Sequence, residues 1–326
     1  MKKIIKSLVI ILAMSSMLTN VVANADELAN DAEVAATSVE NLVEFTDMPD
    51  DWTTAALKNA VKNGLLNGYD GKVMPYDNIT RAQMAAIIVR ALGADAMADI
   101  SAFSDVTEDK WYYAEFSKAV YMKAFQGTDD GKLNPENFIT FEECFTVVSR
   151  IFDLAAADIK SLDGFEDGAE VADWAKEAMA KVVGNGYWDG VDGKLKPKSY
   201  ITRQEFAVLM DNLVKTYINE PGEYEEFSEG NILIRSENVT IKGLETDDLI
   251  IIGDGVQGET HLTDIKSTND IVCRGGTMIA TGIVNNVSGM VSGIVLDLQG
   301  INERTGKIYI GAPDNQLKLG EVQIRP

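Results

Sequence analysis

The chain has 326 residues, 46% of them hydrophobic and 25% charged, the composition of a globular protein long enough for two domains. Its formal net charge of −22 argues against nucleic acid as a partner, because phosphate binding needs clustered Lys and Arg that release counterions. Cys144 and Cys273 read as buried, unpaired thiols, and the single histidine, His261, has no second histidine or Cys-x-x-Cys beside it, so no metal or other cofactor is expected.

Residues 1–25 read as a secretory signal, with Lys2, Lys3 and Lys6, an apolar run from Leu8, and Ala23-Asn24-Ala25 ahead of Asp26. Ser15, Ser16, Thr19 and Asn20 break the run short of the ~20 apolar residues a spanning helix needs. Cleavage is therefore expected, leaving no membrane span and a mature protein outside the cytoplasm. Residues 26–44 read as an exposed linker rich in Ala, Asp, Glu and Asn.

An internal repeat follows, occupying 45–93, 103–153 and 165–215. Trp52 lies 28 residues before Thr80, Trp111 lies 29 before Thr140, and Trp174 lies 28 before Thr202. Behind each tryptophan an apolar face recurs at helical spacing, as Ala56, Leu57, Ala60 and Val61 in the first copy. Each helix leads into an Asp-Gly turn, Asp70-Gly71, Asp130-Gly131 and Asp192-Gly193, where the alternating oxygen ligands of a calcium loop are missing and a tight turn is the expectation. A proline comes next (Pro75, Pro135, Pro197), and then a second helix opens on Ile79-Thr80-Arg81, Ile139-Thr140-Phe141 and Ile201-Thr202-Arg203. Thr80 with Gln83, Thr140 with Glu143 and Thr202 with Glu205 have capping-box spacing, and the isoleucines stand where a hydrophobic staple would. Arg81 and Arg203 at the first helical position oppose the helix dipole. The residues alone allow two explanations: an anion site formed with free N–H groups of the helix end, or pairing with one of the many acidic side chains.

The order Phe-x-Asp, Trp, Gly-Tyr-x-Asp-Gly, Pro, Ile-Thr-Arg-x-Glu, present three times between Phe45 and Leu213, resembles the S-layer homology (SLH) domain. The resemblance implies an all-α pseudo-trimer of helical repeats that binds a secondary cell-wall polysaccharide or other peptidoglycan-linked polymer, often pyruvylated, in grooves between repeats. Carried onto this chain, the implied polymer contacts are Trp52, Asp70 and Arg81 in the first repeat and Trp174, Asp192 and Arg203 in the third. Phe141 and Gln126-Gly127-Thr128 depart from the pattern, so the triplet is expected to be three-fold in fold and at most two-fold in binding.

Residues 216–229 read as a second linker and 230–326 as an all-β domain, with short β-rich runs every 10 to 12 residues punctuated by glycine. Such spacing fits a solenoid or a sandwich. Asp248-Leu249-Ile250-Ile251-Ile252-Gly253-Asp254-Gly255-Val256 resembles the right-handed parallel β-helix found downstream of SLH repeats, and a short β-solenoid is expected, with terminal strands near Ile308 and Val322. No Gly-x-Ser-x-Gly elbow, P-loop, His-Glu-x-x-His or Rossmann fingerprint is present, so no catalytic residue is assigned and the expected protein is not an enzyme. The sequence supports non-covalent wall anchoring with the β domain displayed. Its alternatives are a lattice or stalk component that self-associates through the C-terminal domain, and an enzyme acting on wall glycan.

Overall fold

The computed structural model describes residues 45–281 apart from 129, 268 and 270, together with the strands at 294–297, 308–311 and 322–325. The expected signal peptide and the 26–44 linker lie outside the described residues. Each repeat contributes two helices: α1 (Thr54–Lys62) and α2 (Arg81–Leu92), α3 (Tyr113–Tyr121) and α4 (Phe141–Ile151), α5 (Lys176–Gly184) and α6 (Arg203–Leu213). The apolar positions spaced three and four apart account for what is buried. Ala56, Leu57 and Ala60 of α1, Phe116 and Ala119 of α3, and Met179, Ala180 and Val182 of α5 all turn inward.

The start of each second helix is closed by its own side chains. Thr80 accepts from the Gln83 N–H at 3.2 Å while the Gln83 side chain accepts from the Thr80 N–H at 3.0 Å. Thr140 with Glu143 and Thr202 with Glu205 repeat the capping box, each worth about 1 kcal/mol. The preceding isoleucines are fully buried and bond to one another in a closed triangle: the Ile79 N–H to the Ile201 carbonyl (3.0 Å), Ile139 to Ile79 (2.9 Å) and Ile201 to Ile139 (3.1 Å). Three repeats thus form a ring about a pseudo-three-fold axis.

The β part begins earlier than its spacing suggested. Residues 216–224, expected within a linker, form β1 (Thr216–Ile218) and β2 (Gly222–Tyr224). The chain then passes back and forth between two parallel sheets. One has the order β1, β3 (Ile232–Ile234), β6 (Ile250–Ile252), β9 (Ile271–Cys273), β11 (Ile294–Asp297), β13 (Val322–Arg325). The other runs β2, β4 (Val239–Lys242), β7 (Glu259–Thr263), β10 (Thr277–Thr281), β12 (Ile308–Gly311), and β5 (Glu245–Thr246) pairs with β8 (Lys266–Ser267). Thr216, Ile232, Ile250 and Ile271 stand side by side in register.

The two faces of the first sheet have different partners. Ile218, Ile234, Ile252 and Cys273 point between the sheets and pack with Val239, Ile241 and Leu262. Tyr217, Leu233, Ile251 and Val272, the alternate positions in the same register, pack into the helical core. This explains the unbroken Leu249-Ile250-Ile251-Ile252 run: a strand buried on both faces has no polar side.

Polar contacts fix the same junction. Arg274, 3% exposed, pairs with buried Asp254 at 2.6 Å and donates to the Ile151 carbonyl at the end of α4 (3.1 Å) and to Met122 just past α3 (3.2 Å). Arg235 donates to the Asn63 carbonyl after α1 (2.9 Å), and Asn231 donates to the Leu213 carbonyl at the end of α6 (2.8 Å). Two guanidinium groups therefore meet the negative ends of helix dipoles. The Gly255 N–H bonds to the Leu92 carbonyl, and a Cβ at Gly255 would stand 2.0 Å from the Gly93 oxygen, so only glycine fits this approach.

Candidate functional site

The loops between the paired helices are built first by backbone conformation. Asp70 and Gly71 have φ of 50° and 69°, and Asp192 and Gly193 have 52° and 74°. Consecutive left-handed residues make tight two-residue turns, closed by paired bonds between Tyr69 and Lys72 at 2.9 and 3.0 Å. A carboxylate then clamps each loop. Asp47 accepts from the N–H groups of Val73 (2.7 Å) and Met74 (2.8 Å), Asp105 from Leu133 and Asn134, and Asp167 from Leu195 and Lys196. Sequence reasoning noted the Phe-x-Asp motif without assigning this role. The signal was present in its fixed distance from the loop.

The motif arginines reach across to the neighbouring repeat. Arg203 donates through Nε to the Val73 carbonyl (2.7 Å) and through Nη2 to Asn67 (2.8 Å), at the two ends of the Asp70 turn. Arg81 donates to the Leu133 carbonyl (2.8 Å) and to Glu143 (3.2 Å), and lies over the Phe125 ring. Burial lowers the pKa of both guanidinium groups, opposed by Glu143 at Arg81 and by Asp77 at Arg203.

The free N–H groups expected at these helix ends are spent. The Arg81 and Ala82 N–H groups bond to the Asn137 and Pro135 carbonyls, Phe141 and Glu142 to Ser199 and Pro197, and Arg203 and Gln204 to Asp77 and Pro75. With the third N–H held by the cap threonine, the helix start offers no anion-binding donors of its own.

The residue sets expected within one repeat are divided between repeats. Arg203 of the third repeat faces the Asp70 loop of the first, and Gln204 meets the hydroxyl of Thr53, the neighbour of Trp52, at 3.4 Å. Arg203, the Asp70 loop and Thr53 beside Trp52 therefore meet at the junction between the third and first repeats. Arg81 belongs instead with the loop of the second repeat, where Trp111 takes the place Trp52 has in the first; the sequence reading used Trp111 to mark the repeat and did not count it among the polymer contacts. Trp174 and Asp192 belong to the third repeat, whose loop faces Phe141 of the second where the other junctions have an arginine. There Phe141 packs on Trp188, ring centroids 5.5 Å apart, and buried Glu142 holds Lys198 at 2.7 Å and the Ala172 N–H at 3.1 Å.

Trp52, Trp111 and Trp174 stand out from the surface, at 62%, 62% and 59% exposure, and Tyr69 and Tyr76 join Trp52 on the first repeat. Exposed aromatic side chains of this kind mark a contact surface, since burying them against a partner is favourable.

Left-handed Asp-Gly loops, exposed tryptophans and a closed ring of paired helices define a repeat-built binding module. Residues 44–85, 102–143 and 164–207 match the S-layer homology domain, and the chain carries three of these domains in tandem. It is 30% identical over 193 residues to the Surface-layer 125 kDa protein of Lysinibacillus sphaericus, covering 58% of this chain and 16% of that protein. It is 34% identical over 165 residues to Cell surface glycoprotein 1 of Acetivibrio thermocellus, covering 46% and 7%. The Cellulosome-anchoring protein of the same organism is 28% identical over 160 residues, covering 45% and 34%. The chain thus spans well under two thirds of each of these relatives.

Proposed function

We propose that this protein is a cell-surface protein held non-covalently on the bacterial wall by its three S-layer homology domains, with no catalytic role assigned to them. Support comes from the three domain matches and from relatives named as surface-layer and cellulosome-anchoring proteins. The ligand is an acidic, pyruvylated secondary wall polysaccharide. The observation that carries the site is the meeting of Arg203 with the Asp70 loop at the junction of the third and first repeats, beside exposed Trp52, and this junction is read as the binding groove. In this reading the tryptophan covers a sugar face, and the arginine both fixes the loop and supplies positive potential for a carboxylate. The parallel stack is a β-solenoid carried on the anchor. An acidic chain tolerates an acidic ligand because surface charges beyond a Debye length of ~8 Å are screened.

The test is binding of the full chain to isolated walls before and after extraction of the secondary polymer. Loss of binding on extraction is expected, and equal binding to stripped walls would overturn the polymer assignment. Trp52→Ala is the clean probe, since its side chain is exposed and its loss leaves the fold intact. It is expected to weaken binding more than Trp111→Ala or Trp174→Ala. Equal losses at all three would remove the special status of this groove.

A further inference from the structure

The ring of repeats has one junction that the chain does not bridge. Residues 94–102 connect the first repeat to the second and 154–164 connect the second to the third, whereas the first and third meet only through space. That seam holds the binding groove proposed above, with Trp52, Asp70 and Arg203 at its border. At its far end α1 and α6 approach each other, with Asn59 donating to Asp211 at 2.7 Å. The first turn of the β part sits over this gap. Tyr217 of β1 lines the small cavity left between Asn59, Asn63 and Leu65 on the first repeat and Ala207 and Met210 on the third. Arg235 lies over the Tyr217 ring at 5.1 Å and donates to the Asn63 carbonyl of the first repeat, while Asn231 donates to the Leu213 carbonyl and the Tyr187 hydroxyl of the third.

We propose that Tyr217 and Arg235 form a wedge by which the β domain closes the open seam of the ring and holds the groove between the third and first repeats at its binding width. They act as positioning residues and touch no ligand. This rests on the polymer-binding reading for its functional consequence, but the closure itself does not. The phenol ring supplies the wedge: among the described residues the buried Tyr217 hydroxyl has no hydrogen-bond partner, so packing and the guanidinium carry the contact. A ring that opens at the seam has a smaller binding-competent fraction, and apparent affinity falls by that fraction.

The experiment uses the full chain with spin labels on Lys62→Cys of α1 and Glu177→Cys of α5, exposed positions on the first and third repeats, the two repeats that meet at the seam; native Cys144 and Cys273 are buried and stay unlabelled. Tyr217→Ala and Arg235→Gln are expected to broaden the label-to-label distance distribution and to weaken wall binding about tenfold, as a competent fraction of about a tenth would. Tyr217→Phe should leave both unchanged. So should Gln257→Ala, which removes a contact of the β part to Asp95, away from the seam. An unchanged distance distribution in Arg235→Gln and Tyr217→Ala overturns the wedge, and broadening with undiminished binding overturns its link to the groove. If Tyr217→Ala does not fold, Arg235→Gln carries the decision alone. Failure of the unsubstituted chain to bind walls would overturn the polymer reading and the link to the groove, with the distances still deciding the closure.

Discussion

Residue by residue, the conspicuous Ile-Thr-Arg motif separates into parts with different work. Isoleucine forms the bonded triangle at the axis, threonine caps the helix, and arginine is donated to the loop of the next repeat. The aspartate of Phe-x-Asp is the less conspicuous partner of that arginine, since it fixes the same loop from the other side. Burial alone would raise the Asp47 pKa, but the Val73 and Met74 N–H groups, with Lys72 nearby, outweigh it and hold the carboxyl below its ordinary value. A depressed folded pKa means the stabilisation is complete above the ordinary carboxylate value and is lost as pH falls through the folded one. Asp47→Ala is therefore expected to cost about 3 kcal/mol at neutral pH, from two charge-assisted bonds and the N–H groups left orphaned. The gap in melting temperature between this variant and the parent should begin to narrow below about pH 4 and go on narrowing as the pH falls through the lower folded value. A gap constant down to pH 2 would mean that the carboxylate is not what clamps the loop.

Among the elements, α4 is the one that departs from its sisters. Phe141 stands where α2 and α6 carry arginine, and the neighbouring repeat answers with Trp188, which packs on both Phe141 and Phe145. In the arginine-bearing counterpart, Arg81 lies over Phe125. The change is thus a matched exchange of a cation and a phenyl ring for two aromatic rings. Phe141→Arg alone is expected to destabilise by about 3 kcal/mol or more, because it forces a guanidinium against the indole in a closed space. Adding Trp188→Phe recreates the Arg81 arrangement and should recover part of the loss, with a coupling of at least about 1 kcal/mol in a double-mutant cycle by denaturant melts. Strictly additive effects would sever the link between the two positions.

At the scale of the whole molecule, the helical ring and the β stack share one buried junction, so the two parts are a single body. The contacts that join them fall on helix C-terminal ends in all three repeats, on the side of the ring away from the capped helix starts. Arg274→Ala leaves Asp254 as a buried charge without its guanidinium and frees the Ile151 and Met122 carbonyls. It is expected to cost 3–5 kcal/mol, the typical result of removing one partner of a buried pair. Calorimetry should show one transition for the parent and two for the variant. A variant that keeps a single transition at the parental temperature would mean that the ion pair does not couple the parts.

Much of this architecture was legible in the sequence because it is local. A threonine three residues before an acid or amide specifies a cap, Asp-Gly specifies left-handed backbone, and apolar positions three and four apart specify which face of each helix is buried. The grouping of Trp52 with Arg203 instead of Arg81 was not legible, since it depends on how the repeats close into a ring, and nothing in a repeat's own residues says which neighbour its arginine reaches. The first strands were hidden for a related reason: Thr216–Ile218 and Gly222–Tyr224 are too short to show a period and are held by pairing with β3 and β4. The sequence by itself determined the helices, their caps, the turns and the three-fold repeat, all set by neighbours along the chain. Only the tertiary structure decided which loop each arginine reaches, that the helix-end donors are occupied, and that the β stack is seated on the ring, because each of these depends on contacts between residues tens to hundreds of positions apart.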